Sequence, residues 1–121
     1  MLRYATFDEV NLATSRIESA IVADATFRRS NLSQVSFRDS DLRHVVFDES
    51  LLTEARFDGA NLNGAEWDPR PGTLPNMASM ASALNLHGLR YRKTSQQLGE
   101  LREALYKAGL PEQARQVTFA I

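Results

Sequence analysis

The chain has 121 residues, 43% of them apolar, and a formal net charge of −1, which suits one compact unit with a real core and room for an appendage. It contains no cysteine, which excludes disulfides and thiolate metal sites and leaves the redox compartment open. The opening residues do not read as a basic, apolar leader and no apolar run is long enough to span a bilayer, so the expectation is a soluble, cytoplasmic chain with no membrane contact in this segment. The charge is uneven: residues 1–68 hold twelve Asp and Glu against seven Arg, and residues 69–121 hold seven Lys and Arg against three Glu. An acidic first half therefore carries a basic second half.

In chain order, the first signal is a large apolar residue at every fifth position. Phe7, Leu12, Ile17, Val22, Phe27, Leu32, Phe37, Leu42, Phe47, Leu52, Phe57, Leu62 and Trp67 keep this beat without a gap, and Leu2 fits one step earlier. At this apolar content thirteen consecutive hits would arise by chance with a probability on the order of 10⁻⁵. Two positions before each stands a small or slim residue, from Ala5 and Val10 to Ala60 and Ala65. Five residues advance an α-helix by about 140° and reverse the face of a strand, so neither element keeps these side chains on one side. Only a chain that turns a corner once per repeat does, which gives stacked coils around an apolar column, with backbone hydrogen bonds between them.

The residues then carry a family resemblance. Ala5-Thr6-Phe7-Asp8-Glu9, Ser30-Asn31-Leu32-Ser33-Gln34, Ser40-Asp41-Leu42-Arg43-His44 and Ala60-Asn61-Leu62-Asn63-Gly64 resemble the pentapeptide-repeat pattern, Ala-(Asp/Asn)-Leu-X-X. The resemblance implies an all-β solenoid, a right-handed quadrilateral parallel β-helix with four repeats and twenty residues per coil. Thirteen repeats make about three and a quarter coils, and at roughly 4.8 Å per coil the column is about 15 Å long.

With that coil, residues twenty apart stack. Phe7, Phe27, Phe47 and Trp67 should form one internal column, Leu12, Leu32 and Leu52 a second, Ile17, Phe37 and Phe57 a third, and Val22, Leu42 and Leu62 a fourth. Asn11 and Asn31 are expected to form an amide ladder that Leu51 ends. Ser15, Ser30, Ser40 and Ser50 should point inward and bond nearby backbone groups. On the surface, Asp8/Arg28/Asp48, Glu9/Arg29/Glu49 and Glu18/Arg38/Asp58 alternate in sign, and such columns are expected to hold coils in register.

Three of the four prolines lie in Trp67–Asn76, so residues 69–76 read as a linker that cannot continue a ladder. Met77, Met80, Ala81 and Leu84 recur at helical spacing up to Gly88 and predict a short amphipathic helix covering the end of the column. A second helix is predicted over 95–108, with Ser95 as N-cap, Gly109 as stop and a stripe of Leu98, Leu101, Leu105 and Ala108. Pro111 opens a third, with Ala114, Val117 and Ile121 on one side. The fold class is thus a β-helix over 1–68 with a C-terminal α-helical cap and a helical hairpin over 77–121. Gly109-Leu110-Pro111-Glu112-Gln113-Ala114 is weakly similar to half of a tetratricopeptide repeat. Neither end of the chain carries its own stop signal, which fits either a fragment of a longer protein or a homodimer covering its own ends.

The chemistry-bearing residues are sparse. His44, at a repeat corner, and His87, beside Gly88, are far apart in sequence and read as a solvent-facing residue and a helix-end residue. No metal or cofactor site and no catalytic residue emerges, so the chain is not expected to be an enzyme. Binding is the expectation. Ile21, Val46 and Leu51 place large apolar side chains in outward slots and are candidate partner-binding residues.

The resemblance implies a second, different function, because some members of that family imitate a DNA duplex and bind DNA gyrase. Asp48, Glu49, Glu54, Asp58 and Glu66 would supply the acidic surface, although Arg28, Arg29, Arg38 and Arg43 interrupt it. Direct nucleic-acid binding by Arg90, Arg92, Lys93, Arg102, Lys107 and Arg115 is disfavoured, since these charges are scattered over two helices and read as a solvated face. The primary expectation is a non-catalytic protein-interaction or scaffold module, whose partner is another protein. The alternative is an inhibitor or protector of a DNA-handling enzyme.

Overall fold

The five-residue units fold the same way because their amides are taken up along the column, and where the first residue is Asn or Asp its side chain accepts the third amide as well. In Asn31-Leu32-Ser33-Gln34-Val35 the first amide donates to the preceding coil (Asn31 N to Val10 O, 2.9 Å), while the second and fourth donate to the following one (Leu32 N to Leu51 O, 2.9 Å; Gln34 N to Thr53 O, 2.9 Å). The fifth closes a turn (Val35 N to Leu32 O, 3.1 Å), and the third donates to the side chain of the first (Ser33 N to Asn31 Oδ1, 3.0 Å). In this unit no backbone donor is left over. The chain turns at the fourth residue, which takes a left-handed conformation with φ between 49° and 66° at eleven non-glycine positions from Tyr4 to Glu54, and at Gly59 and Gly64 as well.

A computed structural model describes residues 2–117. Its sheet has four parallel three-residue strands in the order β1 (Thr6–Asp8), β2 (Thr26–Arg28), β3 (Val46–Asp48) and β4 (Glu66–Asp68). Phe7, Phe27, Phe47 and Trp67 are register partners, so one coil takes twenty residues. The other three faces are held by single bridges: Asn11–Asn31–Leu51, Arg16–Ser36–Arg56 and Ile21–Asp41–Asn61. The corner at every fifth residue expected from the period is observed, and so is the four-sided parallel β-helix that the resemblance implied.

Inside, Phe27, Leu32, Phe37, Leu42, Phe47, Leu52, Phe57 and Leu62 are fully buried in one continuous core. Successive aromatics stack along a face (Phe27–Phe47 centroids 5.9 Å apart, Phe37–Phe57 5.5 Å) and meet edge-on across the column (Phe37–Phe47 6.1 Å), each pair adding about 0.5–1.5 kcal/mol to the area buried. Three serines work as expected. Ser50 Oγ donates to Phe27 O (2.8 Å) and accepts from Ser30 N (3.2 Å); Ser30 repeats this with Phe7 O and Val10 N, and Ser40 with Ile17 O and Ala20 N. Ser15 differs. Its hydroxyl makes no such bond among the described residues, because the acceptor in this pattern lies twenty-three residues earlier.

The amide ladder does not form between Asn11 and Asn31. Each side-chain oxygen turns back on its own repeat, to Ala13 N and Ser33 N, as do Asp41 to Arg43 N and Asn61 to Asn63 N. A short polar side chain bonds its own backbone two residues on at less entropic cost than it bridges coils.

The repeat stops at Pro69, and the cause is conformational. Residue 69 occupies the fourth place of its unit, where every earlier unit needs positive φ, and proline is held near −65°. The backbone ladder nevertheless continues: Arg70 N donates to Ser50 O (3.0 Å), Glu54 N to Leu74 O (3.0 Å) and Asn76 N to Ala55 O (2.8 Å). Residues 69–76 are therefore laid along the third coil, unlike the ladder-free linker their prolines predict. The helix predicted from Met77 to Gly88 is instead two 3₁₀ turns, Ala78–Ser82 and Leu86–Gly88. Between and after them the chain rejoins the ladder at Leu84, paired with Asn61, and at Arg90, paired with Glu66. Residues 70–92 are a fourth coil without the repeat, whose donor-to-acceptor offset, nineteen between the repeat coils (Leu32 N to Leu51 O), is twenty at Leu74 (from Glu54 N) and twenty-three at Arg90 (from Trp67 N). It covers the column with Met80, Leu86 and Leu89.

On this coil sits the helical hairpin, α1 (Gln96–Lys107) and α2 (Pro111–Gln116). Leu98, Leu101, Leu105, Ala114 and Val117 are buried in the same core as the coils, whereas Ala108 is exposed. Ser95 stands at the cap position but makes no capping bond; the Thr94 hydroxyl accepts the Gln96 amide instead (3.2 Å). Gly109, at φ 79°, ends α1 as predicted. Ile121, assigned to the third apolar stripe, lies outside the described residues, as does the end segment 118–121.

Candidate functional site

The surface columns stack as the period requires, but their charges pair selectively. Arg28 reaches Asp48 (3.8 Å), and Arg29 reaches both Asp8 (3.1 Å) and Glu9 (3.9 Å). In the third column Arg38 turns to its neighbour Asp39 (3.7 Å), Glu18 accepts from Ser36 Oγ (2.6 Å) and Asp58 takes a two-toothed contact from Arg56 (3.0 and 3.1 Å). That last column therefore stacks without bonding along itself.

The five residues of the candidate acidic surface are all engaged within the chain. Lys93 Nζ donates to Asp48 Oδ1 (2.7 Å) and Glu49 Oε2 (3.3 Å). Arg92 grips Glu66 through Nε and Nη2 (2.8 and 3.1 Å), and its amide donates to Asp68 (3.0 Å). Glu54 accepts from Asn76 (3.0 Å), and Arg56 holds Asp58. Asp48 and Asp68 are buried, whereas Glu66 is partly and Glu49 largely exposed, so residues 92 and 93 each clasp the column through one shielded and one more open carboxylate. Hydrogen bonds to Asp48 and then Glu49 raise the Lys93 pKa above its ordinary value. On the fourth face Arg43 makes a two-toothed contact with Asp41 (2.9 and 2.7 Å), and the side-chain hydrogen bond from Arg43 lowers that carboxyl's pKa.

Of the candidate partner-binding residues, Ile21 is exposed (44%), and Val46 and Leu51 are half-buried. All three occupy the outward first place of their units, where the other units carry Thr, Asn, Arg, Ser, Asp or Glu. Val46 and Leu51 are consecutive such places on either side of the corner at Glu49, and Ile21 lies on another face.

His44 is an exposed corner residue as expected. His87 precedes Gly88, whose carbonyl accepts the Gly64 amide (2.9 Å), and Gly64 stands directly over His44. The fold thus brings two sequence-remote histidines to one corner, two coils apart. Beside it is an open depression of about 550 Å³ lined by His44, Gly64, Glu66, Arg90, Tyr91 and Arg92. A second, of about 360 Å³, lies on the third face among Arg16, Glu18, Ser36, Arg38, Arg56 and Asp58. The first was not marked by the sequence, because its residues come from different coils, whereas the second lies on the Glu18/Arg38/Asp58 column that the period places together. Among the described residues no helix is long and apolar enough to cross a membrane.

The pentapeptide-repeat family matches residues 30–66, with eight copies of the repeat. Over residues 30–66 the chain carries the repeats of the pentapeptide-repeat family. The same hydrogen-bond scheme and corner geometry run from Leu2 to Asp68, so the pentapeptide-repeat coil extends beyond the matched residues at its N-terminal side. Among solved structures, the chain is similar to a pentapeptide repeat protein from the Arabidopsis thaliana thylakoid lumen, at 21% identity over 84% of this chain and 74% of that one, with a TM-score of 0.47. No curated protein matches in sequence.

Proposed function

We propose that the chain is a non-catalytic interaction module whose partner, another protein or a second copy, meets the rod at the Val46/Leu51 corner, with Ile21 as an accessory contact on a different face. The observation that carries this reading is the substitution of apolar for polar residues in outward first places, twice in succession around one corner. A rigid, flat-sided rod offers such a corner at no cost in ordering the backbone.

The DNA-imitating alternative is less well supported. A surface that replaces DNA must offer free negative charge, and Asp48, Glu49, Glu54, Asp58 and Glu66 are each held by Lys93, Asn76, Arg56 or Arg92. The Arg28/Arg29 band further divides what remains.

The test is a pull-down on the full chain at low and high salt, with and without duplex DNA. An apolar corner retains its partner in high salt, and the Val46→Ser/Leu51→Ser variant releases it. Retention of a DNA-handling enzyme that is lost on adding salt or DNA would instead support imitation of DNA.

A further inference from the structure

We propose that the depression between the third and fourth coils is a docking point for a carboxylate-bearing segment of a partner protein, an acidic peptide that lies along the rod from Val46 to Arg90. The inference rests on the interaction reading above and supplies the chemistry of the partner.

The first observation is the state of the charges lining the depression. Glu66 and Arg92 neutralise one another in a two-toothed pair. Arg90 is anchored through its backbone, its amide donating to Ala65 O (2.8 Å) and its carbonyl accepting from Trp67 N (2.7 Å). Its side chain is exposed and makes no hydrogen bond or ion pair among the described residues. Arg28, Arg29, Arg38, Arg43, Arg56, Arg92 and Lys93 each hold a carboxylate; Arg90, like Arg16 and Arg70, has no such partner among the described residues, and its backbone is fixed at the rim of a cavity. A planar guanidinium so positioned fits a carboxylate through two parallel hydrogen bonds.

The second observation is the shape. Gly64 has φ 77°, and a Cβ there would come within 2.5 Å of His44 Nδ1. Lacking a side chain, this corner leaves the imidazole and the half-buried Tyr91 ring as walls of the depression, with ring faces and polar edges for an incoming chain. The third observation is register. Val46 pairs with Glu66, and Glu66 with Arg90, so Val46 and Arg90 stand two strand spacings apart, about 10 Å. An extended segment of three or four residues spans that distance, with an apolar side chain on Val46 and a carboxylate on Arg90. A polyphosphate backbone suits the place poorly, since one unpaired cation flanked by Glu66 and Asp68 would repel a continuous run of negative charge.

The experiment is an amide NMR titration of the full chain with a blocked peptide carrying two leucines, a serine and two aspartates, and with its counterpart in which lysines replace the aspartates. The expected result is saturable shifts at Val46, His44, Gly64 and Arg90 with the aspartate peptide, and binding at least tenfold weaker with the lysine peptide. Arg90→Glu should reduce binding tenfold or more, Arg90→Ala by less, and Arg70→Glu, at another exposed arginine outside the depression, not at all. The spectrum of each variant reports whether the fold survives. Absence of saturable shifts, equal binding of the lysine peptide, or unchanged affinity in Arg90→Glu overturns the inference. So does tighter binding of a single-stranded thymidine oligonucleotide at the same residues. Shifts at Val46 and Leu51 that Val46→Ser abolishes and Arg90→Glu does not would remove this inference while leaving the interaction module standing.

Discussion

The first and third coils are written in the same five-residue grammar, yet they differ in burial. Phe7, Leu12 and Ile17 are half-buried, whereas Phe47, Leu52 and Phe57 are fully buried. The Phe7 ring stacks on one neighbour, Phe27, at 5.0 Å, while Phe47 meets Phe27, Phe37, Phe57 and Trp67 within 6.1 Å. What differs is the coil on the far side. A repeat supplies the side chain, and the adjacent coil supplies its environment, so stability in such a column is a sum over interfaces between coils.

The largest effect should separate the two coils directly. Phe47→Ala opens a cavity in the closed part of the column and is expected to cost about 3–5 kcal/mol in denaturant unfolding, with Phe7→Ala below half of that. Equal costs would break the comparison. Next, Ser50→Ala strands the Ser30 amide and the Phe27 carbonyl and should cost about 1–3 kcal/mol, while Ser15→Ala, which strands nothing, should be near neutral. Gly64→Ala meets both a left-handed corner and the His44 ring, so a loss of about 1–2 kcal/mol is expected. Part of it should return when His44 is also replaced by Ala, which a double-mutant cycle reads.

The smallest effect concerns the clasp between the third and fourth coils. Because the Lys93 pKa is raised in the folded state, its contribution is fully present below the unfolded lysine value of about 10.4 and fades as pH rises through the higher folded value. The stability difference between the protein and Lys93→Met should therefore be constant at neutral pH and shrink in strong base. It should also shrink with added salt, since the ammonium is half exposed. A difference that grew with pH would contradict the pairing.

How much of this was legible follows from what carries each feature. The column was readable because side chains from Phe7 to Trp67 encode it periodically. The twenty-residue coil with its stacked aromatics followed from the resemblance to the pentapeptide repeat, since a period of five does not itself say how many repeats close a coil. Spacing also made α1 readable, where Leu98, Leu101, Leu105 and Gly109 give both stripe and stop. The fourth coil was not readable, since it is held by backbone bonds at Leu74, Asn76, Leu84 and Arg90, and backbone groups are the same in any sequence. Pro69 was visible, but its meaning depends on knowing that the fourth place of each unit needs positive φ. Asn11 and Asn31 were placed correctly on one face and assigned the wrong partner, because a period cannot distinguish a bond along the column from one within a repeat. On the surface, the apolar places at Val46 and Leu51 were legible from the period. The pairing of Lys93 with Asp48, 45 residues apart, and the setting of Arg90 were not.

The central claim is that residues 70–92 form a true fourth coil, since this closes the column and sets Arg90 in line with Val46. Native-state hydrogen exchange on the full chain tests it most directly, through the amides of Glu54, Leu62, Gly64 and Trp67, whose acceptors are Leu74, Leu84, Gly88 and Arg90. The account predicts protection of these amides comparable to that of Leu32, Gln34 and Leu42, which donate between repeat coils. Exchange at rates typical of an exposed loop would contradict it, and would leave residues 70–92 as a tether with no fixed place for Arg90.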